Sequence, residues 1–428
     1  MNIYQNLWNK AIKIIPGGNG LLSKRPQRFS PNLWPIYFKR AKDIYIWDLN
    51  NKRYTDMSIM GIGTSMLGYA NNKIDNEVKK IISKGINTTL NSVEEYQLAK
   101  KILKIDKFAH KVKFARSGGE AVLIGVRIAR SFNNKTKIAF SGYHGWHDWY
   151  LAANLKKKTN LNNHLIKNLS PIGVPKELKN SNIPINFNDI TDLKRKFSLN
   201  KFAAFVVEPG RFNKMSKEFA KEINKICNKK NVCLIVDEIT CGWRSNLGGL
   251  YKKIGLKPDI VIYGKALGNG YAISSIVGKE KYMKFANKSF ISSTAWTERI
   301  GFAAAINTIK NLEKKNYNNI RILGKKIKNK WSISAEKNKI SIEINDYDEI
   351  PSFRFMYKKK NEILETAFTN FYLKYNILAS NSVYLSFSHN EKKIKKYLDL
   401  LDDAFKYVKN TLIGKNKINS NNIKKFNY

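Results

Sequence analysis

Short apolar segments alternate with amphipathic segments through the middle of the chain, and this alternation constrains the fold more than any other feature. A strand buried on both faces is apolar throughout, so such segments indicate a mostly parallel sheet covered by helices. Strands are predicted at 112–115, 137–140, 203–207, 232–236, 259–263 and 273–277, and helices at 120–131 and 216–228. Ser92 and Glu95 have the spacing of a capping box that begins another helix. The predicted fold class is therefore α/β.

The two flanking parts of the chain predict a second, smaller α+β domain. A helical pattern at 3–15 begins the chain. Strand patterns in the flanking parts lie at 44–48, 53–56, 340–344, 352–356 and 383–387. We divide the chain into residues 1–56, which join the small domain; 57–306, the large α/β domain; 307–412, the C-terminal α+β domain; and 413–428, a basic tail that we expect to be flexible.

The net charge is the unusual property of the composition, since 77 basic and 33 acidic residues give +44. Such a balance is typical of proteins that bind nucleic acid. The lysines, however, extend from Lys10 to Lys425 and are mixed with Asn and Ile, which A/T-rich codons also encode. A charge excess without a patch is weak evidence for a polyanionic partner. We therefore expect no nucleic-acid partner, and a basic nucleic-acid-associated protein is the alternative from another functional class.

Several other classes of protein are disfavoured by what the chain lacks. Its three cysteines are too few for a disulfide scaffold, and its longest apolar run, at 202–207, is far shorter than the roughly 18 residues of a membrane helix. His144 and His147 are three residues apart, but no third ligand accompanies them, so no metal site is predicted. No dinucleotide fingerprint or Walker A loop is present. We predict a soluble, cytoplasmic protein without a membrane partner.

Two features after predicted strands could bind a flat, phosphorylated ligand, at the edge where open α/β sheets bind ligands. Ser117, Gly118 and Gly119 lie between a strand and a helix, where small residues let a phosphate approach the N–H groups of the helix N-terminus. Tyr143 and His144 follow the next strand. An aromatic ring there either stacks on a cofactor or packs in the core.

Two further features carry charge at strand ends. Asp237 and Glu238 end the apolar strand at 232–236, where carboxylates are costly to leave without a positive partner. A protonated ring nitrogen would be such a partner; a helix cap or an ion pair with Arg244 is the alternative. Lys265 lies at the end of another apolar strand and is flanked by glycines. In such a setting desolvation would lower the pKa of its amine and favour an imine with an aldehyde.

Together these features supply the parts that pyridoxal phosphate requires: a phosphate anchor, a stacking face, an anion for the ring nitrogen and an amine. At these residues the chain resembles the class III, fold-type I pyridoxal-phosphate aminotransferases, and among them the branch that contains glutamate-1-semialdehyde 2,1-aminomutase. The resemblance covers about 25–412, and 232–244 with 258–270 resembles the signature block of the family. It implies a seven-stranded, mostly parallel sheet and pyridoxal 5′-phosphate as the cofactor.

The resemblance also implies roles for individual residues. Lys265 would form the Schiff base and move a proton between Cα and C4′, through ketimine and pyridoxamine phosphate intermediates. Asp237 would pair with the pyridine nitrogen, and Ile239 would pack on the ring face opposite Tyr143. The remaining cofactor residues would be Ser117, Gly118 and Gly119 in the phosphate loop, together with His144 and Thr294.

Two more implications concern the substrate and the assembly. Glu208 matches the substrate-side glutamate of the family, and Thr294 matches a threonine that reaches the phosphate of the neighbouring subunit. The expected assembly is therefore a homodimer with shared sites. Candidate anchors for a substrate carboxylate are Arg25, Arg28 and Arg354, because arginine binds carboxylates bidentately.

The chain departs from the family pattern at two places. Gly119 replaces a Thr or Ser that is often found in the phosphate loop, which removes a hydroxyl donor. Trp296 and Arg299 stand where the aminomutase pattern has small residues, and they would change the pocket wall. Two reactions therefore stay open: transfer from an amino donor to a separate aldehyde or keto acceptor, and aminomutase chemistry within one molecule.

Overall fold

The computed structural model describes residues 3–164 and 167–425. It separates into two compact units. The α/β unit comprises Asn72–Lys315, and the small unit combines Met1–Asn71 with Asn316–Tyr428. The α/β unit thus begins at Asn72 rather than at 57, and it ends at Lys315 rather than at 306.

The strands in the described residues are β1 (Phe38–Lys42), β2 (Tyr45–Asp48), β3 (Arg53–Met57), β4 (Lys111–Ala115), β5 (Ile138–Ser141), β6 (Asn182–Pro184), β7 (Ala204–Val207), β8 (Cys233–Asp237), β9 (Ile260–Tyr263), β10 (Ser274–Gly278), β11 (Ile342–Ile344), β12 (Phe353–Phe355) and β13 (Ile377–Ala379).

The helices in the same residues are α1 (Ile3–Ile14), α2 (Met60–Gly63), α3 (Asn72–Ile82), α4 (Val93–Ile105), α5 (Gly118–Asn133), α6 (Asp148–Leu151), α7 (Ala153–Lys156), α8 (Ile190–Leu199), α9 (Lys217–Lys229), α10 (Tyr251–Ile254), α11 (Glu280–Met283), α12 (Arg299–Leu312), α13 (Tyr317–Lys337), α14 (Asn361–Leu373), α15 (Glu391–Asp399) and α16 (Leu401–Leu412). None of these described helices combines the length and apolar character needed to cross a bilayer.

The sheet of the α/β unit has seven strands in the order β4-β10-β9-β8-β7-β5-β6. Strand β10 is antiparallel to both of its neighbours, whereas the other pairs are parallel. The central strands β7, β8 and β9 are buried at every position, because helices cover both faces and leave no place for a polar outer side. The predicted α/β fold, with a mostly parallel sheet and a second, smaller domain, is confirmed.

The carboxyl ends of five strands bring the candidate site residues to one edge of this sheet. Ser117 follows β4, Tyr143 follows β5, Glu208 follows β7, Asp237 ends β8 and Lys265 follows β9. All five strands run in the same direction, since the single reversed strand, β10, lies between β9 and β4. Residues that are up to 148 positions apart in the sequence therefore lie along one edge.

The small unit contains a four-stranded sheet in the order β1-β2-β3-β13 and the hairpin β11–β12. The predicted strand at 383–387 is wrong. Ile377–Ala379 instead forms β13 and pairs in parallel with β3, while the N–H of Tyr384 donates to the Ser58 carbonyl. Strand β1 was not predicted, because its residues are exposed or only half-buried and show no apolar alternation.

The described part of the C-terminal tail packs against the rest of the small unit. Lys424 is buried and forms an ion pair with Glu365, and its N–H donates to Oγ1 of Thr366 at 2.9 Å. The N–H of Lys425 donates to the Gln27 carbonyl. This packing differs from the loose tail expected at 413–428, because a carboxylate inside the unit offers the tail a partner. Residues 426–428 lie outside the described part.

The capping box predicted at Ser92 is wrong, although helix α4 does begin at Val93. The Ser92 hydroxyl makes no capping hydrogen bond. Glu95 lies instead close to the cations Lys113 and Arg116, which act against the rise that burial causes in the pKa of its carboxyl. The carboxylate that would complete the box is thus used elsewhere.

Gly324 on α13 packs closely against the backbone of Asp348 in the small unit. A β-carbon at this position would stand 1.8 Å from the carbonyl oxygen of Asp348. We expect Gly324→Ala to lower the free energy of unfolding by about 1–3 kcal/mol, because the backbone must shift to admit one methyl group. Gly20→Ala is the matched control, since nothing lies within 4 Å of its β-carbon position. Urea midpoints that are equal for both variants would contradict this reading.

Candidate active site

The amine of Lys265 lies inside the α/β unit and donates a hydrogen bond to Oγ1 of Thr240 at 2.9 Å. Burial lowers its pKa from 10.5 to about 8; nearby arginines add to the lowering and nearby carboxylates oppose it. The backbone of Lys265 has φ of +43°, in the left-handed region that is costly for a residue with a β-carbon. The lysine predicted from its apolar, glycine-flanked setting therefore has the desolvated amine that nucleophilic chemistry requires.

Asp237 and His144 form a buried pair at the end of β8. Nδ1 of His144 donates to Oδ2 of Asp237 at 2.8 Å, and the other carboxylate oxygen accepts the N–H of Ile239 at 3.1 Å. Only 1% of His144 and 2% of Asp237 are exposed. The polar partner of Asp237 is thus an imidazole rather than a helix cap. His144, which was predicted as a cofactor-binding residue, contacts the carboxylate that was predicted at the ring nitrogen.

Glu238 meets the cost of burial in another way. Its side chain is fully buried, and Oε1 accepts the N–H of Tyr251 at 2.7 Å. Burial raises its pKa to about 8, and the neighbouring Asp106 and Asp237 add to the rise although backbone N–H groups lower it. Glu238 is therefore largely neutral at pH 7. The two adjacent carboxyl groups are thus stabilised differently: Asp237 pairs with an imidazole, whereas Glu238 accepts a backbone N–H and is largely neutral at pH 7.

The loop before α5 presents two backbone N–H groups at a helix N-terminus. Ser117 and Glu120 form a capping box, in which Glu120 Oε2 accepts the Ser117 N–H at 2.7 Å and its hydroxyl at 2.9 Å. Within the described chain, no group accepts a hydrogen bond from the N–H of Gly118 or Gly119. The Ser117 hydroxyl is engaged in the cap, so its role at a phosphate stays a prediction.

Ile239 lies between this loop and the loop of Lys265. A β-carbon at Gly118 would stand 2.7 Å from Cδ1 of Ile239, and one at Gly264 would stand 3.5 Å from its Cγ1. Glycine is therefore required at 118 by close approach and not by a left-handed backbone. The aliphatic side chain joins the glycine loop to the residue before Lys265, which is consistent with the predicted place of Ile239 beside a cofactor ring.

Tyr143 and Glu208 are joined to a residue that was not predicted, Arg211. The N–H of Tyr143 donates to Oε2 of Glu208 at 2.8 Å, and the Arg211 guanidinium lies 3.5 Å from the same oxygen. The guanidinium carbon also lies 5.0 Å from the centre of the Tyr143 ring. Its position three residues after Glu208, in the loop that follows β7, was the available signal. Thr240, the partner of Lys265, was missed as well.

Thr294 begins a short 3-10 turn, Thr294–Thr297, and is exposed. Indole Nε1 of Trp296 donates to Oε1 of Glu120 at 3.3 Å, so this turn is attached to the capping box of α5. Arg299 forms an ion pair with Glu94 at 2.7 Å, which holds its guanidinium on α4. The effect of these two departures on a pocket wall stays a prediction.

The three candidate carboxylate anchors lie in the small unit, whereas the other candidate residues lie in the α/β unit. Arg354 is 3.8 Å from Glu343 across the hairpin β11–β12. Arg28 is largely buried, which lowers the pKa of its guanidinium although Glu365 opposes the shift. Arg25 packs against Gly17, where a β-carbon would stand 2.0 Å from its guanidinium. Their role at a substrate stays a prediction.

The fold of the chain is similar to that of solved transaminase structures. An omega-transaminase from Sphaerobacter thermophilus superposes with a TM-score of 0.85 and 18% identity, over 95% of this chain and 98% of that one. A glutamate-1-semialdehyde aminomutase from Pseudomonas aeruginosa PAO1 gives 0.82 and 16%, over 95% and 94%. The fold is therefore that of the pyridoxal-phosphate-dependent transferases.

Sequence comparison defines the family. The chain is 29% identical to the 3-aminobutyryl-CoA aminotransferase of Cloacimonas acidaminovorans, over 95% of this chain and 97% of that protein. It is 30% identical to the glutamate-1-semialdehyde 2,1-aminomutase of Wigglesworthia glossinidia brevipalpis, over 96% and 99%. The family model for aminotransferase class-III matches residues 28–367. The chain belongs to the class III aminotransferase family; it is an enzyme of amino-group transfer, and its cofactor is pyridoxal 5′-phosphate.

The residues at the sheet edge fit this cofactor. The two N–H groups of the glycine loop can donate hydrogen bonds to a phosphate at the positive end of α5. The Lys265 amine has a pKa of about 8, because burial disfavours its charged form, and the buried Asp237 carboxylate is held in place by His144. An anion site, an amine and a carboxylate are the three polar groups that the cofactor requires of a protein.

The lowered pKa of Lys265 can be measured without cofactor. An amine reacts only in its deprotonated form, so acetylation of Lys265 in the apoprotein should rise with pH to a midpoint of about 8. N-acetyl-lysine in the same mixture is the internal standard and should follow the ordinary value of about 10.4. The measurement is competitive labelling with acetic anhydride, read by mass spectrometry of the Lys265 peptide. A midpoint near that of the standard would contradict the desolvated amine.

Proposed function

We propose that this enzyme transfers an amino group from a small-molecule donor to a separate aldehyde or keto acceptor, with Lys265 as its catalytic amine. The observation that supports this proposal most is the place of the Lys265 amine, which donates to Oγ1 of Thr240 at 2.9 Å at the sheet edge that also carries the Asp237–His144 pair. Desolvation there lowers the pKa of the amine to about 8. An amine with this pKa is about one-tenth deprotonated at pH 7 and about half deprotonated at pH 8, far more than an ordinary lysine. It can therefore act as a base where a surface lysine could not.

In our proposal each group around the cofactor has a separate task. When bound, pyridoxal phosphate supplies an aldehyde and an electron-accepting ring. In our proposal Nζ of Lys265 would take the proton from the carbon that bears the amino group of the donor and would return a proton at C4′ of the cofactor. Asp237 holds the proton on the ring nitrogen, and His144 keeps the carboxylate oriented. Tyr143 and Ile239 would enclose the ring, while Gly118 and Gly119 would bind the phosphate through their N–H groups.

The substrate side of the proposed site contains Glu208 and Arg211. Glu208 is 2% exposed and accepts the Tyr143 N–H, so its position is fixed by the backbone of the neighbouring loop. The side chain of Arg211 is half exposed and brings a positive charge beside it. Arg25, Arg28 and Arg354 remain our candidates for a second contact with a substrate carboxylate.

Aminomutase chemistry is the second candidate, and the similarity to aminomutases over nearly the whole chain favours it. The two reactions use the same groups, and they differ in whether the intermediate is released. Similarity to the 3-aminobutyryl-CoA aminotransferase supports release, since that protein is named for transfer between two substrates. Donors with an amino group on the β-carbon therefore belong in the first panel tested.

A half-reaction separates the two possibilities. With an amino donor alone, an aminotransferase should release about one keto product per site and lose the visible absorbance of its bound aldehyde. The absorbance should return when a carbonyl acceptor is added. An enzyme that converts glutamate-1-semialdehyde and releases no keto product from any donor would favour the aminomutase.

Lys265→Ala should lower turnover by about 10²–10⁴-fold, the range expected when a general acid–base is removed. The variant should keep the circular dichroism spectrum of the folded protein. Lys225→Ala is the matched control, because this lysine lies exposed on α9. Borohydride reduction of the wild-type enzyme should attach the cofactor to the Lys265 peptide. Attachment to another lysine would contradict the assignment.

We also propose a homodimer with shared sites. Thr294 is exposed, and so are the apolar side chains of Leu90 and Phe290, which are 81% and 90% exposed. The segment that contains Leu90 is adjacent to the segment that contains Phe290 and Thr294, because the N–H of Arg299 donates to the Ile86 carbonyl. Exposed apolar side chains near Thr294, the proposed phosphate ligand, favour burial of this surface against a second subunit. The proposed partner is a second copy of this chain, and the proposed compartment is the cytoplasm.

Mixing two variants with different defects tests the shared site. If Thr294 of one subunit serves the phosphate of the other, a heterodimer of Lys265→Ala and Thr294→Ala chains has one site with both defects and one intact site. After subunit exchange, activity should therefore exceed the sum of the two parents. Exchange is followed with two different affinity tags. Demonstrated exchange without any gain would contradict the sharing.

A further inference from the structure

The ring of His147 fills the space beside Gly119 in the glycine loop. A β-carbon at Gly119 would stand 2.8 Å from Cε1 and 3.0 Å from Nδ1 of this imidazole. The two loops are also in contact through their backbones, because a β-carbon at Gly145 would stand 3.1 Å from Cα of Gly119. The imidazole therefore occupies the region into which any side chain at position 119 would extend.

One ring nitrogen of His147 lacks the hydrogen bond that a purely structural histidine would make. Nδ1 of His147 is buried and has no hydrogen-bond partner among the described residues. A buried nitrogen without a partner costs free energy, and such groups mark sites that another molecule completes. Trp146 stacks on the ring with centroids 4.5 Å apart, which restricts its orientation.

The loop beside it lacks a donor. Gly118 and Gly119 offer two N–H groups, whereas the Thr or Ser often found at the second position would add a hydroxyl. Burial lowers the pKa of His147, and the nearby Glu120 and Asp148 only partly oppose this shift. The imidazole is therefore mostly neutral at pH 7 and keeps one N–H, which a phosphate oxygen can accept.

We propose that His147 is a phosphate ligand of the cofactor and donates the hydrogen bond that the missing hydroxyl at position 119 would otherwise supply. This role rests on the proposed assignment of the glycine loop to the phosphate. The proposal also explains why position 119 is glycine. Glycine lets the anion approach, and it leaves room for the imidazole, which cannot share this space with a side chain.

The experiment compares two ligands that differ only in the phosphate. Full-length holoenzyme is stripped of cofactor, and the Kd values of pyridoxal 5′-phosphate and of pyridoxal are measured by absorbance titration. His147→Ala should raise the Kd of the phosphorylated ligand about tenfold, the usual effect of losing one hydrogen bond to a charged group. The Kd of pyridoxal should stay unchanged. His147→Phe keeps a ring that can stack on Trp146 but carries no N–H, and it should behave like His147→Ala.

A reciprocal rescue completes the test. Gly119→Thr alone should weaken cofactor binding, because its β-carbon would meet the imidazole at 2.8 Å. In the double variant Gly119→Thr with His147→Ala, the hydroxyl returns and the clash is gone, so the preference for the phosphorylated ligand should recover. The phosphorus NMR signal of the bound cofactor should shift in His147→Ala and return towards its original position in the double variant.

The possible failures are distinguishable. If wild-type protein binds pyridoxal as tightly as pyridoxal 5′-phosphate, the assignment of the glycine loop is wrong. If wild-type protein prefers the phosphorylated ligand but both His147 variants keep that preference, only the role of His147 is overturned. If His147→Ala weakens both ligands equally, or if His147→Phe behaves like wild type, the ring has a packing role and the proposal also fails.

Discussion

The hydrogen bond between His144 and Asp237 is the interaction on which the site depends. Both side chains are buried, and breaking such a pair by removing one partner typically costs about 3–5 kcal/mol, because the other is left uncompensated. The bond joins the loop after β5 to the end of β8, so it fixes two of the strand ends that carry the cofactor residues. The buried Glu238 beside it avoids the same cost by remaining largely protonated near neutral pH.

Lys265 shows the complementary solution. Its ammonium has no carboxylate in direct contact among the described residues, and the hydrogen bond of its amine goes to the neutral hydroxyl of Thr240. The charge is therefore weakly compensated, and the pKa falls to about 8. A carboxylate paired with a buried imidazole and a lysine whose pKa is lowered by desolvation lie at one sheet edge, and they are opposite uses of the same burial. A site that both binds a cationic ring and supplies a free amine needs both.

The sequence predicted those parts of the fold and site whose signal is local. The apolar strand at 232–236 and the lysine between glycines are visible in a short window, and the strands β7, β8 and β9 lie within one residue of where the apolar runs placed them. Non-local contacts were not available. His144 contacts Asp237, 93 positions away in the sequence. Arg211 becomes a candidate only because the loop after β7 folds beside Tyr143. The false strand at 383–387 has the right alternation but bonds to a loop, which no window could reveal.

The contact between Gly119 and His147 also limits the order in which these positions can change in evolution. A threonine at 119 and the imidazole at its present position overlap, so a lineage that acquires either one while it still has the other must displace the ring. The single-step route that avoids this overlap passes through a chain with glycine at 119 and a small residue at 147. That intermediate has neither a hydroxyl nor an imidazole, and selection for tight cofactor binding would act against it. The two arrangements are thus separated by a barrier, and related chains should have one or the other and rarely a mixture.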